Sequence, residues 1–163
     1  LGAIIMSALI GMDISDIKKA VKNLTPLKST FFVKTFGKRF FKEKTIIIDD
    51  TYSANSTGVL SALDFMDRLG KNKNEILIMR SLVDLGEKGK ETHKKIGKKI
   101  SLVCDCAFII DNNFKQELKS EKTIFTNDIK QIIKKIKEII KNKDAIILLE
   151  NRLPKEILNF FNF

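Results

Sequence analysis

The residues best placed to do chemistry lie where an apolar run ends in acids. Ile46-Ile47-Ile48 leads directly into Asp49-Asp50, followed by a polar stretch that holds Tyr52, the sole tyrosine. Neighbouring residues on a strand point to opposite faces, so only one of these carboxylates can serve a site at the strand's end. The plain account of the polar stretch is a loop and then a helix N-cap from Asn55, Ser56 or Thr57. His93 is the only histidine. It falls just inside an expected helix beside Ile96 and Ile100, so packing or capping is its expected role. No Ser-His-Asp, Cys-His or His-rich metal arrangement is read from it. Cys104 and Cys106 fall short of the four ligands of a zinc site. Read as one strand, they share a face and sit too close to bridge, so buried, reduced thiols are expected. Residues 86–92, Gly-Glu-Lys-Gly-Lys-Glu-Thr, look like a phosphate loop at a glance. The glycine spacing is too short, and Glu91 stands where a magnesium-binding hydroxyl belongs.

These residues need elements to hold them. Residues 1–10 are apolar almost all round, as a buried helix would be, with Gly11 as a stop. Asp13 or Ser15 can cap a second helix with Ile14, Ile17, Ala20, Val21 and Leu24 on one face. Pro26 ends helical structure. Strands are expected over 31–36 and 39–42, joined by a tight turn at Gly37-Lys38, and then over 45–49. From there helices over 57–69, 90–102, 114–118 and 129–141 alternate with strands over 75–79, 106–110, 123–125 and 145–149. In the first of these helices Val59, Leu60, Leu63, Met66 and Leu69 should face inward. The helix over 129–141 carries a clear isoleucine stripe and a cap from Asn127 or Asp128. A last helix follows Pro154. Short apolar strands alternating with amphipathic helices predict an α/β, Rossmann-like three-layer sandwich. Its sheet is mainly parallel, with helices on both faces and an N-terminal β-hairpin. In such sheets ligands sit beyond the carboxyl ends of the strands, here residues 49–57, 80–90, 111–113 and 150–154.

Composition narrows the function classes. The 163 residues are 44% hydrophobic and 31% charged, which fits one globular domain and excludes a disordered chain. The apolar start is shorter than the roughly 20 residues of a membrane span and lacks a signal peptide's basic start. A reduced, cytoplasmic setting is expected. Because the chain opens inside an apolar helical pattern, it reads as a piece of a longer protein. The net charge of +10 is almost all lysine, with arginine only at 39, 68, 80 and 152. Nucleic-acid recognition leans on arginine forks and stacked aromatics, so the lysines are read as a solvated surface.

The string Asp49-Asp50-Thr51-Tyr52-Ser53-Ala54-Asn55 resembles the loop that opens the C-terminal domain of the Mur ligase family, commonly D-D-x-Y-N-A-N-P. Downstream, Ser81-Leu82-Val83-Asp84-Leu85-Gly86-Glu87, followed by His93 and Gly97, resembles that family's G-D-M-x-E-L-G-E … H … G segment. Upstream, residues 2–24 resemble the end of its central domain, where an apolar small-residue helix and a second helix precede a proline. The three likenesses occur in family order. Beyond Gly97 the resemblance is one of pattern, until Glu150-Asn151-Arg152-Leu153-Pro154. Among the family's branches the sequence is most similar to ligases that add D-alanyl-D-alanine to a UDP-muramyl peptide. An archaeal pseudomurein peptide ligase of similar design fits too.

The resemblance implies the C-terminal domain of a cytoplasmic, ATP-dependent amide ligase of cell-wall synthesis, whether of peptidoglycan or pseudomurein. Such an enzyme turns a carboxylate of a UDP-linked peptide precursor into an acyl phosphate, which the amino group of an amino acid or dipeptide then attacks. Residues 1–25 would be the trailing helices of a preceding ATP-binding domain that holds most of the ATP and magnesium, and 26–163 the closing domain. By position, Asp50 and Lys28 match the nucleotide side; Tyr52, Ala54, Asn55, Asp84 and Arg152 match the substrate side. No catalytic residue or metal ligand is assigned to this segment, and because no part of it supplies a phosphate loop it should be inactive alone. Several positions depart from the pattern. Lys28-Ser29 replace a Gly-Arg, Ser56 replaces a proline, Arg80-Ser81 replace Gly-Asp, and Leu149-Glu150-Asn151-Arg152 replace K-G-S-R. Two alternatives stay open: a non-catalytic Rossmann-like module holding an acidic partner by its basic surface, and a degenerate Mur-like scaffold.

Overall fold

The computed structural model describes residues 2–25, 27, 29–36, 44–52, 54–141 and 143–161. Pro26, Lys28, the Gly37-Lys38 turn, the strand expected over 39–42 and Ser53 lie outside them. Six strands form one sheet: β1 (Phe32–Phe36), β2 (Thr45–Asp50), β3 (Asn74–Met79), β4 (Cys106–Ile109), β5 (Thr123–Phe125) and β6 (Ala145–Glu150). Their order is β1-β2-β6-β3-β4-β5. All neighbours are parallel except β1, which runs antiparallel to β2 with Phe36 opposite Thr45. Thus the antiparallel partner of β1 is the isoleucine-rich strand β2. The α/β class, the mainly parallel sheet and the layered arrangement are as expected from the sequence.

The central strands β2, β3 and β6 are runs of Ile and Leu because both of their faces are covered. On one face lie α3 (Ser56–Gly70), α4 (Gly89–Val103) and α5 (Lys115–Leu118), packing Val59, Leu63, Met66, Ile96, Ile100 and Leu118 onto the sheet. On the other lie α6 (Ile129–Ile139) and α7 (Lys155–Phe160), with Ile132, Ile136 and Ile157 turned inward and Phe161 just beyond α7. Gly97 lets α4 and α5 meet: a Cβ there would stand 2.3 Å from the Glu117 carbonyl oxygen. In α3, Leu69 points out at 38% exposure, and Ala62 and Gly70 complete the inward face instead. Asp13, Asn55 and Asp128 supply the three observed side-chain caps.

Two expectations fail. The helices α1 (Gly2–Leu9) and α2 (Ile14–Lys22) pair with each other, yet α1 buries no residue and α2 only Ile17. Ile5, Leu9, Ile10, Ile14 and Leu24 are at least half exposed. The apolar character of α1 therefore faces outward, since among the described residues only α2 packs on it to any extent. The cysteines are free and buried as expected, but they do not share a strand. α4 runs to Val103 and the chain bends at Asp105, so Cys104 joins the core on the α4 face and Cys106 the core on the α6 face. Burial pushes both thiols up, that of Cys106 to about 11. Among the described residues no helix is long and apolar enough to cross a membrane.

Candidate functional site

The topology selects one edge of the sheet. The chain leaves β2 and β3 toward the α3–α4 face, but it leaves β6, which lies between them, toward the α7 face. Crevices at the carboxyl ends of such strands are where ligands settle. Backbone strain gathers at the same edge. Among the described residues, six non-glycines have positive φ, and five of them, Ser29, Phe31, Asp84, Phe114 and Asn151, sit on this rim. Asn72 is the sixth, at the far end. Left-handed backbone at a side-chain-bearing residue is costly and persists where its surroundings impose it.

At the end of β2 the two acids divide as strand alternation requires. Asp49 is buried and fully used: its carboxylate accepts from Ser29 Oγ at 3.0 Å, Thr51 N at 3.2 Å and Thr51 Oγ1 at 2.6 Å. Asp50, on the opposite face, is half-buried and accepts from the Phe31 N–H at 3.0 Å. Burial raises its pKa above the usual carboxylate range and the Asp49 charge adds to this, while the Phe31 N–H pulls the other way. The following loop is tied back by the Tyr52 N–H, which donates to the Ser29 carbonyl at 2.9 Å and leaves the phenol ring 67% exposed. Ala54 packs against the core. The Asn55 side-chain oxygen caps α3, accepting from Gly58 N at 2.8 Å.

The tail of β3 is fixed on three sides. Ser81 N donates to Asp111 Oδ2 and its hydroxyl to the Asn113 carbonyl, which joins it to the tail of β4. Leu82 N donates to His93 Nε2 at 3.0 Å, while His93 Nδ1–H donates to the Gly89 carbonyl at 2.7 Å. The imidazole is fully buried and stacked on Phe114 at 3.8 Å, so His93 is a packing and positioning residue, as expected. Residues 86–92 form a 3₁₀ turn, Gly86–Lys88, and the first turn of α4, with no resemblance to a phosphate cradle. On the third side, Asn151 Nδ2 reaches across from β6 to the carbonyls of Arg80 at 3.4 Å and Ser81 at 3.0 Å.

The structure thus gathers Asp50, Tyr52, Ala54, Asn55, Asp84 and Arg152 around the carboxyl ends of β2, β3 and β6; Lys28 lies outside the described residues. Two residues of the last strand-end segment were given no role of their own in the sequence reading. One is Asn151, the clamp between loops. The other is Glu150, fully buried with both carboxyl oxygens unpaired. Burial pushes Glu150 up to about 8, the Asp50 charge adds to this, and the nearby Asn151 N–H opposes it. The signal was visible: an acid closing a strand that is otherwise wholly apolar. A groove of about 910 Å³ lies elsewhere, on the outer side of α4 and α5, walled by Lys94, Lys98, Lys119 and Lys122 with Glu91 and Glu117. Its walls are a solvated charged surface.

Comparison with known proteins agrees with this geometry. Residues 37–149, well over half of the chain, match the family model described as "Mur ligase, glutamate ligase domain". The MurF ligase of Thermotoga maritima, solved in complex with ADP, superposes with a TM-score of 0.74 at 21% identity, over 97% of this chain and 35% of that one. MurF from Acinetobacter baumannii superposes with a TM-score of 0.77 at 16% identity, over 98% of this chain and 35% of that one. The chain therefore spans about a third of the length of these relatives, and at such identities they show a shared fold. No curated protein matches it in sequence. The chain belongs to the Mur ligase family and carries that family's C-terminal domain.

Proposed function

We propose that this chain is the closing domain of an ATP-dependent amide ligase. The enzyme would join an amino acid or dipeptide to a UDP-linked cell-wall peptide precursor through an acyl phosphate. The observation that carries this reading is convergence: Asp50, Tyr52, Asn55, Asp84 and Arg152, far apart in sequence, share one strand-end rim in a fold common to MurF ligases. An acyl phosphate must be shielded from water and aligned with its amine, which a domain closing over a cleft achieves.

The residues here fit one part of that task. Asp50, half-buried and with one oxygen already fixed by the Phe31 N–H, is an acceptor suited to nucleotide hydroxyl or amino groups. Lys28 would add a point charge on the phosphate side. Among the described residues no three His, Cys, Asp or Glu side chains gather as a cation site, so magnesium and most of the ATP would be held by a preceding domain. When bound, ATP would supply the phosphoryl group that activates the carboxylate. The exposed apolar side chains of α1 and α2 support assigning residues 1–25 to the end of that domain. The cytoplasm would be its setting.

The test is Asp50→Asn in the full-length enzyme, followed by phosphate release that depends on ATP, precursor and amine. The KM for ATP should rise about tenfold, the loss expected when a charged hydrogen-bond acceptor is neutralised, with the fold intact by circular dichroism. The 163-residue chain alone should release no phosphate above a heat-killed control. Unchanged ATP dependence would remove Asp50 from the nucleotide; phosphate release by the chain alone would overturn the closing-domain reading.

A further inference from the structure

The lysines expected from the sequence as a solvated surface are not scattered evenly over the folded chain. α6 lays Ile132 and Ile136 on the sheet. Almost opposite them on the helix stand Lys130, Lys134 and Lys137, with Lys141 in the turn that follows. Steps of four, three and four residues keep these side chains in one row. All four are exposed, and with Ile133 and Glu138 they edge one shallow groove of about 510 Å³. None of the four is paired with an acid among the described residues; Glu138 instead meets Lys135 at 3.7 Å. Lys137 Nζ stands 5.5 Å from the centre of the Phe160 ring, which ties the row to α7.

The lysines on the opposite face of the sheet are arranged differently. Those of the α4–α5 groove share its walls with Glu91 and Glu117, and Lys95 and Lys99 are taken up by Glu91 and Asp64. In α6, by contrast, Glu138 is the one acid among four lysines. Like charges three and four residues apart repel, so the row is a cost that no internal counter-charge offsets. It runs for about 16 Å at the helical rise. Neither an arginine nor an aromatic residue occurs in α6, so the row lacks the forks and stacking faces that read nucleic acid. Point charges on long flexible stems suit a broad plane of phosphates instead.

We propose that the row of Lys130, Lys134, Lys137 and Lys141 docks this chain on an anionic lipid surface, reversibly and through charge. The apolar side of α6 is committed to the sheet, so the helix cannot bury it among acyl chains as an interfacial helix does. Four lysines at the headgroup plane give a lipid partition of about 10³ M⁻¹, weak enough to come and go. The row points away from the sheet, whereas the candidate site opens at the carboxyl ends of the strands. Docking therefore leaves that rim uncovered. The inference goes beyond the ligase reading and does not depend on it.

The experiment sediments the 163-residue chain with vesicles of phosphatidylglycerol and phosphatidylcholine in equal parts, and with vesicles of phosphatidylcholine alone. Binding is expected to the anionic vesicles only, and should vanish between about 0.05 M and about 0.5 M salt as screening shortens the reach of each charge. Each of Lys130→Gln, Lys134→Gln, Lys137→Gln and Lys141→Gln should weaken it about fivefold, and the four together at least about 100-fold. A control changes Lys94, Lys98, Lys119 and Lys122 of the opposite face to glutamine. Net charge falls equally, yet binding should weaken by less than about threefold, because that face lies beyond a Debye length from the lipid. Glutamine keeps helix propensity at these outward positions, so both variants should fold, which circular dichroism checks. Equal losses in the two quadruple variants would make the effect one of overall charge and overturn the row. So would equal binding to phosphatidylcholine, or no binding to the anionic vesicles. A single-stranded oligonucleotide that strips the chain from the vesicles at equal phosphate concentration would assign the row to nucleic acid instead.

Discussion

His93 and Glu150 are both completely buried, each at or next to a strand end on the same rim of the sheet, and they are served in opposite ways. Both ring nitrogens of His93 have partners and the ring lies flat against Phe114. Neither oxygen of Glu150 has a partner, and the nearest acting charge is of its own sign. The first arrangement is what a fold does with a polar group it needs for its own architecture. The second is a buried polar group that the fold carries at a cost. The comparison separates a polar group the fold has partnered from one it has left without a hydrogen bond, on a rim where sequence motifs alone would weight both residues equally.

The largest expected effect lies on the structural side. His93→Ala removes a stacked ring and strands the Leu82 N–H and the Gly89 carbonyl, and should lower unfolding free energy by about 4 kcal/mol. His93→Phe keeps the stack on Phe114 but not the hydrogen bonds, and should cost about 2 kcal/mol. Urea denaturation followed by circular dichroism checks both. If His93→Ala unfolded within a few tenths of a kcal/mol of the parent chain, the contrast with Glu150 would collapse from the histidine side.

Glu150→Gln should act in the opposite direction and depend on pH. The carboxyl is raised from its ordinary 4.5 to about 8 in the folded chain. A carboxyl raised on folding leaves stability intact below its unfolded value and erodes it as pH climbs toward the folded value. Asp50 on β2 is the charge that acts on it, and Met79, its partner on β3, adds none. The glutamine variant should therefore exceed the parent by about 3 kcal/mol at pH 7 and by under about 1 kcal/mol near pH 5. Unfolding curves at pH 5, 7 and 8.5 measure the gap. A gap that stays flat across that range would show that Glu150 already has a partner. A gap that widens as pH rises would show a buried acid whose ionisation the fold opposes.

The same contrast explains what could be read from the sequence. The isoleucine stripe of α6 and the apolar runs of β2, β3 and β6 announce their elements because burial on defined faces leaves a period in the chain. Asp50, Tyr52 and Asn55 were legible because they occupy one contiguous loop after such a run. Glu150 and Asn151 were placed in the last strand-end segment but given no role, because the bonds of Asn151 run across the sheet to Arg80 and Ser81, seventy positions away, and no local pattern encodes that adjacency. The pairing of β1 with β2 was not read for a related reason: the turn signal at Gly37-Lys38 pointed to 39–42, which lies outside the described residues, and not to the longer-range match of Phe36 to Thr45. α1 was misread because an all-apolar helix announces that it must be covered but not by what.

Asn55 tests the comparison at its finest grain, because it lies on the same rim with one role visible and another proposed. Its side-chain oxygen accepts from Gly58 N at 2.8 Å and so fixes the start of α3, the helix that follows β2. Asn55→Ala should cost about 1 kcal/mol, the usual loss for a helix cap, whereas Asn55→Ser should stay within a few tenths because serine can cap equally well. Asparagine and serine differ in reach and in the amide donor, so a substrate contact would distinguish what the cap does not. In the full-length enzyme, an amine KM raised by Asn55→Ala and restored by Asn55→Ser means the residue serves the site by holding α3 and belongs with His93. A KM raised alike by both, with stability restored only by serine, makes it a contact to substrate. Stability unchanged by Asn55→Ala would remove the cap, and with it the expectation that the residue behaves like His93.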